Sequence, residues 1–308
     1  MNIVIPDKIE FSASQLDQLK QLNVTVFDDL PDSEAEIASR IKDAELITAN
    51  YIDITPSLID AAPKLKYILA PAVGYDWVDS KYAASKGIKV INCPTFNSQA
   101  VAELALAMTM AISRKVVQAS NDLQQGGWGP QVFVGTELAG RTMGLIGHGN
   151  IGKRIDQTAT TLGITVRYVD SKSTEDEIDE LIAGVDYLVL CVQLNDKTRH
   201  MVNGRRLALM KSSAYLVNVA RGAIIEQAAL INVLREKKIR GAALDVFDGE
   251  PLTGVPSDEI IELSKLANVV ATPHIGASTE EAHQRLGEEV IENIKAVLDG
   301  EPQNVVVQ

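Results

Sequence analysis

With 308 residues, 46% of them hydrophobic and 23% charged, the sequence has a globular composition and enough length for two ordinary domains. A net charge of −12 argues against nucleic acid or an anionic membrane surface as partner. No apolar run approaches the roughly eighteen residues of a membrane span.

Met1-Asn2-Ile3-Val4-Ile5-Pro6 is too short and too lightly charged for a signal peptide and reads as a first strand. Further strand-like segments are Val24-Thr25-Val26-Phe27, Glu45-Leu46-Ile47-Thr48-Ala49, Tyr67-Ile68-Leu69-Ala70 and Lys89-Val90-Ile91. Between them apolar residues recur at helical spacing, as at Leu16, Leu19 and Leu22 or at Ile37 and Ile41. Alternation over short connections predicts a parallel α/β sheet for residues 1–97. A long helix is expected next, with Ser98 as N-cap and Val101, Leu104, Ala105 and Met108 along it. Gln124-Gln125-Gly126-Gly127-Trp128-Gly129-Pro130 then breaks regular structure.

The second half opens on a short buried strand, Thr142–Ile146, followed by Gly147-His148-Gly149-Asn150-Ile151-Gly152 and a helix from Lys153 to Leu162. A second apolar strand, Thr165–Val169, ends on Asp170. Strand, glycine loop, helix, strand and acid together make the dinucleotide-binding fingerprint. Gly147 allows the turn, Gly149 lets backbone approach a pyrophosphate, and Gly152 lets the helix lie close to the sheet. Free amides at the helix N-terminus meet the phosphates, and Asp170 accepts from the adenosine ribose hydroxyls. NAD is the cofactor this predicts. His148, inside the loop, is expected to face solvent or phosphate.

Later strands fall at Tyr187–Leu190, Ala214–Val219, Gly241–Asp245 and Val269–Ala271, and a last helix at Glu280–Leu298. Because the glycine loop sits near mid-chain, the nucleotide domain (98–278) is inserted. Residues 1–97 and 279–308 then form one substrate domain, with hinges near Phe96-Asn97 and Ile275–Thr279 and the substrate cleft between the domains. Cys93 and Cys191 lie far apart in strand-like segments and read as reduced thiols of a cytoplasmic protein. Four histidines without Cys/His metal spacing predict no metal.

Three segments follow directly on predicted strands: Asn218-Val219-Ala220-Arg221-Gly222, Asp245-Val246-Phe247-Asp248-Gly249-Glu250-Pro251 and Thr272-Pro273-His274-Ile275-Gly276-Ala277. Loops after strand carboxyl ends surround the ligand crevice of an open parallel sheet. Arg221 offers a planar fork to a carboxylate, His274 can exchange a proton near neutral pH, and Glu250 can hold the imidazole. Taken singly, each has a bland reading as surface charge, loop histidine or turn residue. Together, downstream of the fingerprint, they point to catalysis.

With these segments, and with APAVGYDWVD and PTFNSQAVAE in the first half, the chain resembles the D-isomer-specific 2-hydroxyacid dehydrogenase family over nearly its whole length. The resemblance implies an NAD-binding Rossmann domain inserted in a flavodoxin-like substrate domain. It implies Arg221 on substrate carboxylate and carbonyl, His274 as acid/base, and Glu250 as its partner. Amides near Val73 and Gly74 would grip the carboxylate, with Tyr51 and Asn97 as further pocket residues; Tyr51 could equally be packing. Asp245 would contact the nicotinamide carboxamide. Asn150, Ile151, Gln193, Thr198, Val219, Ala220, Gly276 and Ala277 would line the cofactor.

Family members acting on phosphorylated acids carry an arginine in the segment that here reads Asn50-Tyr51-Ile52, and formate dehydrogenases place glutamine where Glu250 stands. The chain is therefore expected to reduce a small unphosphorylated 2-oxo acid. Phosphoglycerate dehydrogenase is the nearest rival, and an NAD(H)-sensing protein like the C-terminal-binding-protein corepressors is the rival of another class. With Trp128 apolar yet off the αβ pattern, the resemblance also suggests an arm that packs on a twin subunit, hence a homodimer. The alternative is that Trp128 covers its own domain.

Overall fold

The computed structural model describes residues 1–251 and 254–307. The chain divides into two compact units, Met1–Asn97 with Ser278–Gln308, and Ser98–Ala277. In the first, β1 (Ile3–Ile5), α1 (Ala13–Gln21), β2 (Val24–Val26), α2 (Glu34–Ile41), β3 (Leu46–Thr48), α3 (Pro56–Ala61), β4 (Tyr67–Ala70), α4 (Ser80–Ser85) and β5 (Lys89–Asn92) alternate. Each helix begins where a side-chain oxygen can accept an orphan N–H: Ser12, Ser33, Thr55 and Asp79 cap α1 to α4. The five strands are parallel in the order β2-β1-β3-β4-β5. Parallel sheets are covered on both faces, so their strands read as unbroken apolar runs; Ile3, Val4, Ile5, Leu46, Ile47, Ile68 and Leu69 are all buried.

The second unit opens with α5 (Ser98–Arg114) and α6 (Val116–Gln124). Ser98 is the first residue of α5 and not its cap. The helix starts one residue earlier than the sequence suggests, which turns the serine inward; its Oγ is buried with no partner among the described residues. Then follow β6 (Thr142–Ile146), α7 (Asn150–Thr161), β7 (Thr165–Val169), α8 (Glu175–Gly184) and β8 (Tyr187–Leu190). The series continues through α9 (Gly204–Leu207), β9 (Tyr215–Asn218), α10 (Gln227–Arg235), β10 (Gly241–Leu244), α11 (Asp258–Ser264) and β11 (Val269–Ala271). These six strands are parallel in the order β7-β6-β8-β9-β10-β11. Successive side chains go to opposite faces. Tyr187, Val189, Tyr215, Val217 and Ala243 join a core with α5 and α7, while Leu188, Leu190, Leu216, Ala242 and Leu244 join a second core with α8, α10 and α11.

The chain returns to the first unit as α12 (Glu280–Leu298), capped by Thr279, and β12 (Val305–Val307), which pairs antiparallel with β5. Each sheet reverses its winding once, between β1 and β3 in the first and between β6 and β8 in the second. Ligands of open α/β sheets bind outside the strand carboxyl ends at such a reversal. Among the described residues no helix is long and apolar enough to cross a membrane.

Candidate active site

β6 ends at Ile146 and the chain turns at Gly147, whose φ of +102° is a conformation that side chains rarely permit. Its N–H donates to Val169 O (2.9 Å), which ties the loop to the end of β7 beside Asp170. A Cβ on Gly152 would collide with the Gly147 carbonyl, so only hydrogen lets α7 sit this close. Gly149 is different: a Cβ there would meet nothing within 4 Å, and the backbone is open on that side. Ser, Thr, Asp or Asn side chains cap α1–α4, α8, α9, α11 and α12, whereas α6, α7 and α10 have no side-chain cap, and of these α7 alone is preceded by a glycine, Gly149. An open glycine before an uncapped helix suits a pyrophosphate, so these residues fit a dinucleotide.

Asp170 is exposed at the end of β7, where Lys172 N–H donates to its Oδ1 (2.8 Å) and orients the carboxylate. Asn150 begins α7, and Ile151 packs on the core shared with α5. Gln193 is exposed, and its carbonyl accepts from the Thr198 hydroxyl (2.7 Å), which in turn accepts from Asn195 N–H (2.8 Å). Thr198 thus closes the loop after β8 and spends its hydroxyl there. His148 is only 17% exposed, so it does not face solvent freely as expected. Its ring stacks on Tyr168, centroids 3.7 Å apart, and its Nε2 lies 2.9 Å from Asp156 Oδ2. The reason is that β7 pairs with β6 and brings an aromatic face alongside the loop.

After β9, Val219 is buried and Ala220 N–H donates to Asn218 Oδ1 (3.1 Å). Arg221 is half-buried and extended; its Nη1 donates to Ala220 O (2.9 Å), and its carbonyl accepts from Asn218 Nδ2 (2.9 Å). A Cβ on Gly222 would overlap the Phe247–Asp248 backbone, so this turn lies flush against the loop after β10. In that loop Phe247 N–H donates to Glu250 Oε2 (3.1 Å), and Glu250 Oε1 lies 2.6 Å from His274 Nδ1. One run of contacts therefore joins the loops after β9, β10 and β11.

Asp245 organises the third loop. It is 1% exposed, and its carboxylate accepts from the Thr272 hydroxyl (2.6 Å) and from the N–H groups of Ile275 and Gly276 (2.9 Å each). Its carbonyl takes the His274 N–H at 2.8 Å. Segment 272–276 is thereby wrapped on one buried carboxylate, and His274 is held at φ +53°, a backbone state uncommon for a residue with a side chain. The imidazole remains 44% exposed beyond its bond to Glu250. Ala277 closes the unit.

Tyr51, Val73, Gly74 and Asn97 belong to the first unit. Tyr51 follows β3 and is 46% exposed. The N–H groups of Tyr51 and Asn50 (2.9 Å) donate to the carboxylate of Asp7, which is fully buried after β1. Burial pushes the Asp7 carboxyl up to about 6, against the lowering effect of those N–H bonds. Val73 and Gly74 follow β4, and Val73 O accepts from Asn92 Nδ2 (2.8 Å). Asn97 Oδ1 is buried without a partner among the described residues. The Asp7–Tyr51 and Asn92–Val73 contacts were not legible in the sequence, because the partners follow other strands. Both cysteines are free thiols, and burial pushes Cys191 up to about 12. Among the described residues no three or more His, Cys, Asp or Glu side chains are grouped to hold a metal ion.

The model of the D-isomer specific 2-hydroxyacid dehydrogenase NAD binding domain matches residues 106–276. The chain belongs to this family. It is 41% identical over 287 residues to a D-3-phosphoglycerate dehydrogenase of Methanocaldococcus jannaschii, covering 89% of this chain and 54% of that one, so it spans about half the length of that relative. It is 37% identical over 297 residues to a glyoxylate reductase of Korarchaeum cryptofilum, covering 91% and 88% of the two. The D-lactate dehydrogenase of Aquifex aeolicus, solved with NAD and lactic acid, superposes with a TM-score of 0.88 at 28% identity over 100% of this chain and 99% of that one. Membership makes the chain an NAD-dependent oxidoreductase of the D-2-hydroxyacid dehydrogenase type.

Proposed function

We propose that this chain reduces small unphosphorylated 2-oxo acids, such as glyoxylate, hydroxypyruvate or pyruvate, to the D-2-hydroxy acid, reversibly, as a cytoplasmic homodimer. The His274–Glu250 pair carries the reading: a 2.6 Å contact at Nδ1 orients the ring and leaves Nε2 for the substrate oxygen. A bound NADH would supply hydride for the 2-carbon. His274 gives its proton to the carbonyl oxygen, and in the reverse direction takes it back. Glu250 stabilises the charged imidazole. Arg221 offers its guanidinium, and the Val73 and Gly74 amides their N–H groups, to the substrate carboxylate. Asp245 serves by holding the His274 loop.

The substrate class rests on which cations are committed elsewhere. No arginine stands at Asn50-Tyr51-Ile52. Lys64 pairs with Asp43 and Lys66 with Glu45, and Lys66 precedes β4 at its amino end, whereas Tyr51 and Val73 follow the carboxyl ends of β3 and β4. Arg40 is bound to Asp29 and Glu36. These three cations are thus already paired with carboxylates, which disfavours a phosphate-bearing substrate. The 41% match to a phosphoglycerate dehydrogenase favours the second reading, and one assay separates them. kcat/KM measured with NADH over a panel of 2-oxo acids should be highest for an unphosphorylated one. A maximum at phosphohydroxypyruvate would restore the rival, and no turnover at all would favour a dinucleotide-sensing role.

A further inference from the structure

Asn92 closes β5, and two further asparagines, Asn293 and Asn304, hold it. Its N–H donates to Asn304 O (3.2 Å), and its carbonyl accepts from Asn293 Nδ2 on α12 (3.1 Å). Asn293 Oδ1 accepts in turn from Asn304 Nδ2 (3.0 Å). Both Asn92 and Asn293 are buried. With its main chain gripped from two sides, Asn92 sends its own Nδ2 to Val73 O at 2.8 Å. Next to it, Cys93 N–H donates to Ala72 O at 3.0 Å.

Two successive carbonyls of the loop after β4 are thus pinned toward β5. In a planar trans peptide the N–H points opposite to the C=O. Pinning Ala72 C=O therefore aims the Val73 N–H away from β5, and pinning Val73 C=O does the same for the Gly74 N–H. Neither N–H has a partner among the described residues. Donors aimed in advance at an anion bind it without reorganising. We propose that Asn92 is a positioning residue for substrate: its amide, braced by Asn293 and Asn304, sets the peptide plane that presents the Gly74 N–H to the substrate carboxylate. This rests on the reading that Val73 and Gly74 receive that carboxylate. An asparagine suits this place because its amide donates to Val73 O without bringing a charge into a buried position; an ionised aspartate of the same shape would repel the carbonyl.

The test uses the full-length enzyme with NADH and the best 2-oxo acid of the panel. Asn92→Ala should raise KM for that acid about tenfold, a loss of about 1.4 kcal/mol, while the Kd for NADH stays within about twofold. Asn92→Asp should show a KM that falls toward the wild-type value as pH is lowered from 8 to 5.5, since a protonated carboxyl can again donate to Val73 O. If the aspartate variant does not fold, Asn92→Ala decides alone. An unchanged KM in Asn92→Ala, or equal losses in KM and NADH affinity, would overturn the proposal. The underlying reading has its own measurement: oxamate added to the wild-type NADH complex should shift the Gly74 amide resonance. A shifted Gly74 with an unaffected Asn92→Ala enzyme would spare the carboxylate grip and reject the positioning role. An unshifted Gly74 would reject both.

Discussion

His274 joins two features that a histidine seldom carries together, a left-handed backbone and a carboxylate at hydrogen-bond distance. Such a backbone state costs about 1 kcal/mol or more and persists only where neighbours enforce it; here the bonds from Thr272, Ile275, Gly276 and His274 itself to Asp245 do so. Removing the ring should strike chemistry and spare the nucleotide loop. His274→Ala is expected to lower kcat by about 10²–10⁴-fold with NADH affinity kept; near-full activity would mean another group is the acid. Asp7 gives a stability prediction of opposite character. In the fold its carboxyl holds a proton up to about pH 6, against a reference value of 3.8. The folded chain therefore binds more protons between those values, and its stability falls as pH rises through them. Asp7→Asn lacks this slope. From pH 4 to pH 7 the wild type should lose on the order of 2 kcal/mol relative to the variant; parallel unfolding curves across that range would show Asp7 ionised throughout.

The helix after the glycine loop is set by two contacts, Gly152 against the Gly147 carbonyl and the bond from Gly147 N–H to β7. Gly152→Ala should push α7 outward, raise the Kd for NADH at least tenfold and lower Tm. Unchanged NADH binding in a folded variant would show that α7 has room to shift. At the end of β7, the Asp170 carboxylate suits a ribose diol and repels a 2′-phosphate. NADH should be preferred over NADPH by about tenfold or more in kcat/KM, and Asp170→Ala should narrow the gap; equal use of NADPH by the wild type would count against this. These features were legible in the sequence, because strand, glycines and acid are consecutive, and Arg221, Glu250 and His274 each stand just beyond an apolar strand. Asp7 with Tyr51, His148 with Tyr168 and Asn92 with Val73 were not. Each pair meets only because particular strands are neighbours in a sheet, and strand order is absent from local sequence. Ser98 failed for a smaller reason, a helix start misplaced by one residue, which is the usual uncertainty at helix ends.

The largest apolar exposure lies along α6 and the turn that follows it. Trp128 is 85% exposed, Val134 68%, Val132 61%, and Leu123 and Val116 more than half. The tryptophan therefore does not cover its own domain, and α6 has no buried residue at all. Apolar side chains concentrated in this way mark an interaction surface. In the proposed homodimer a second copy of the chain would cover this face, and two-fold symmetry closes such a contact because each subunit presents the same surface. Two chains of net charge −12 repel one another, so in that dimer burial of these residues would have to supply the attraction. That sets a sign for salt: screening should tighten the dimer, the reverse of what an assembly held by ion pairs would show. Light scattering at micromolar concentration should return twice the 33.3 kDa chain mass. Trp128→Glu places a charge in the contact and should bring the mass down to that of one chain. A wild-type mass of 33.3 kDa at both low and high salt would rule the dimer out.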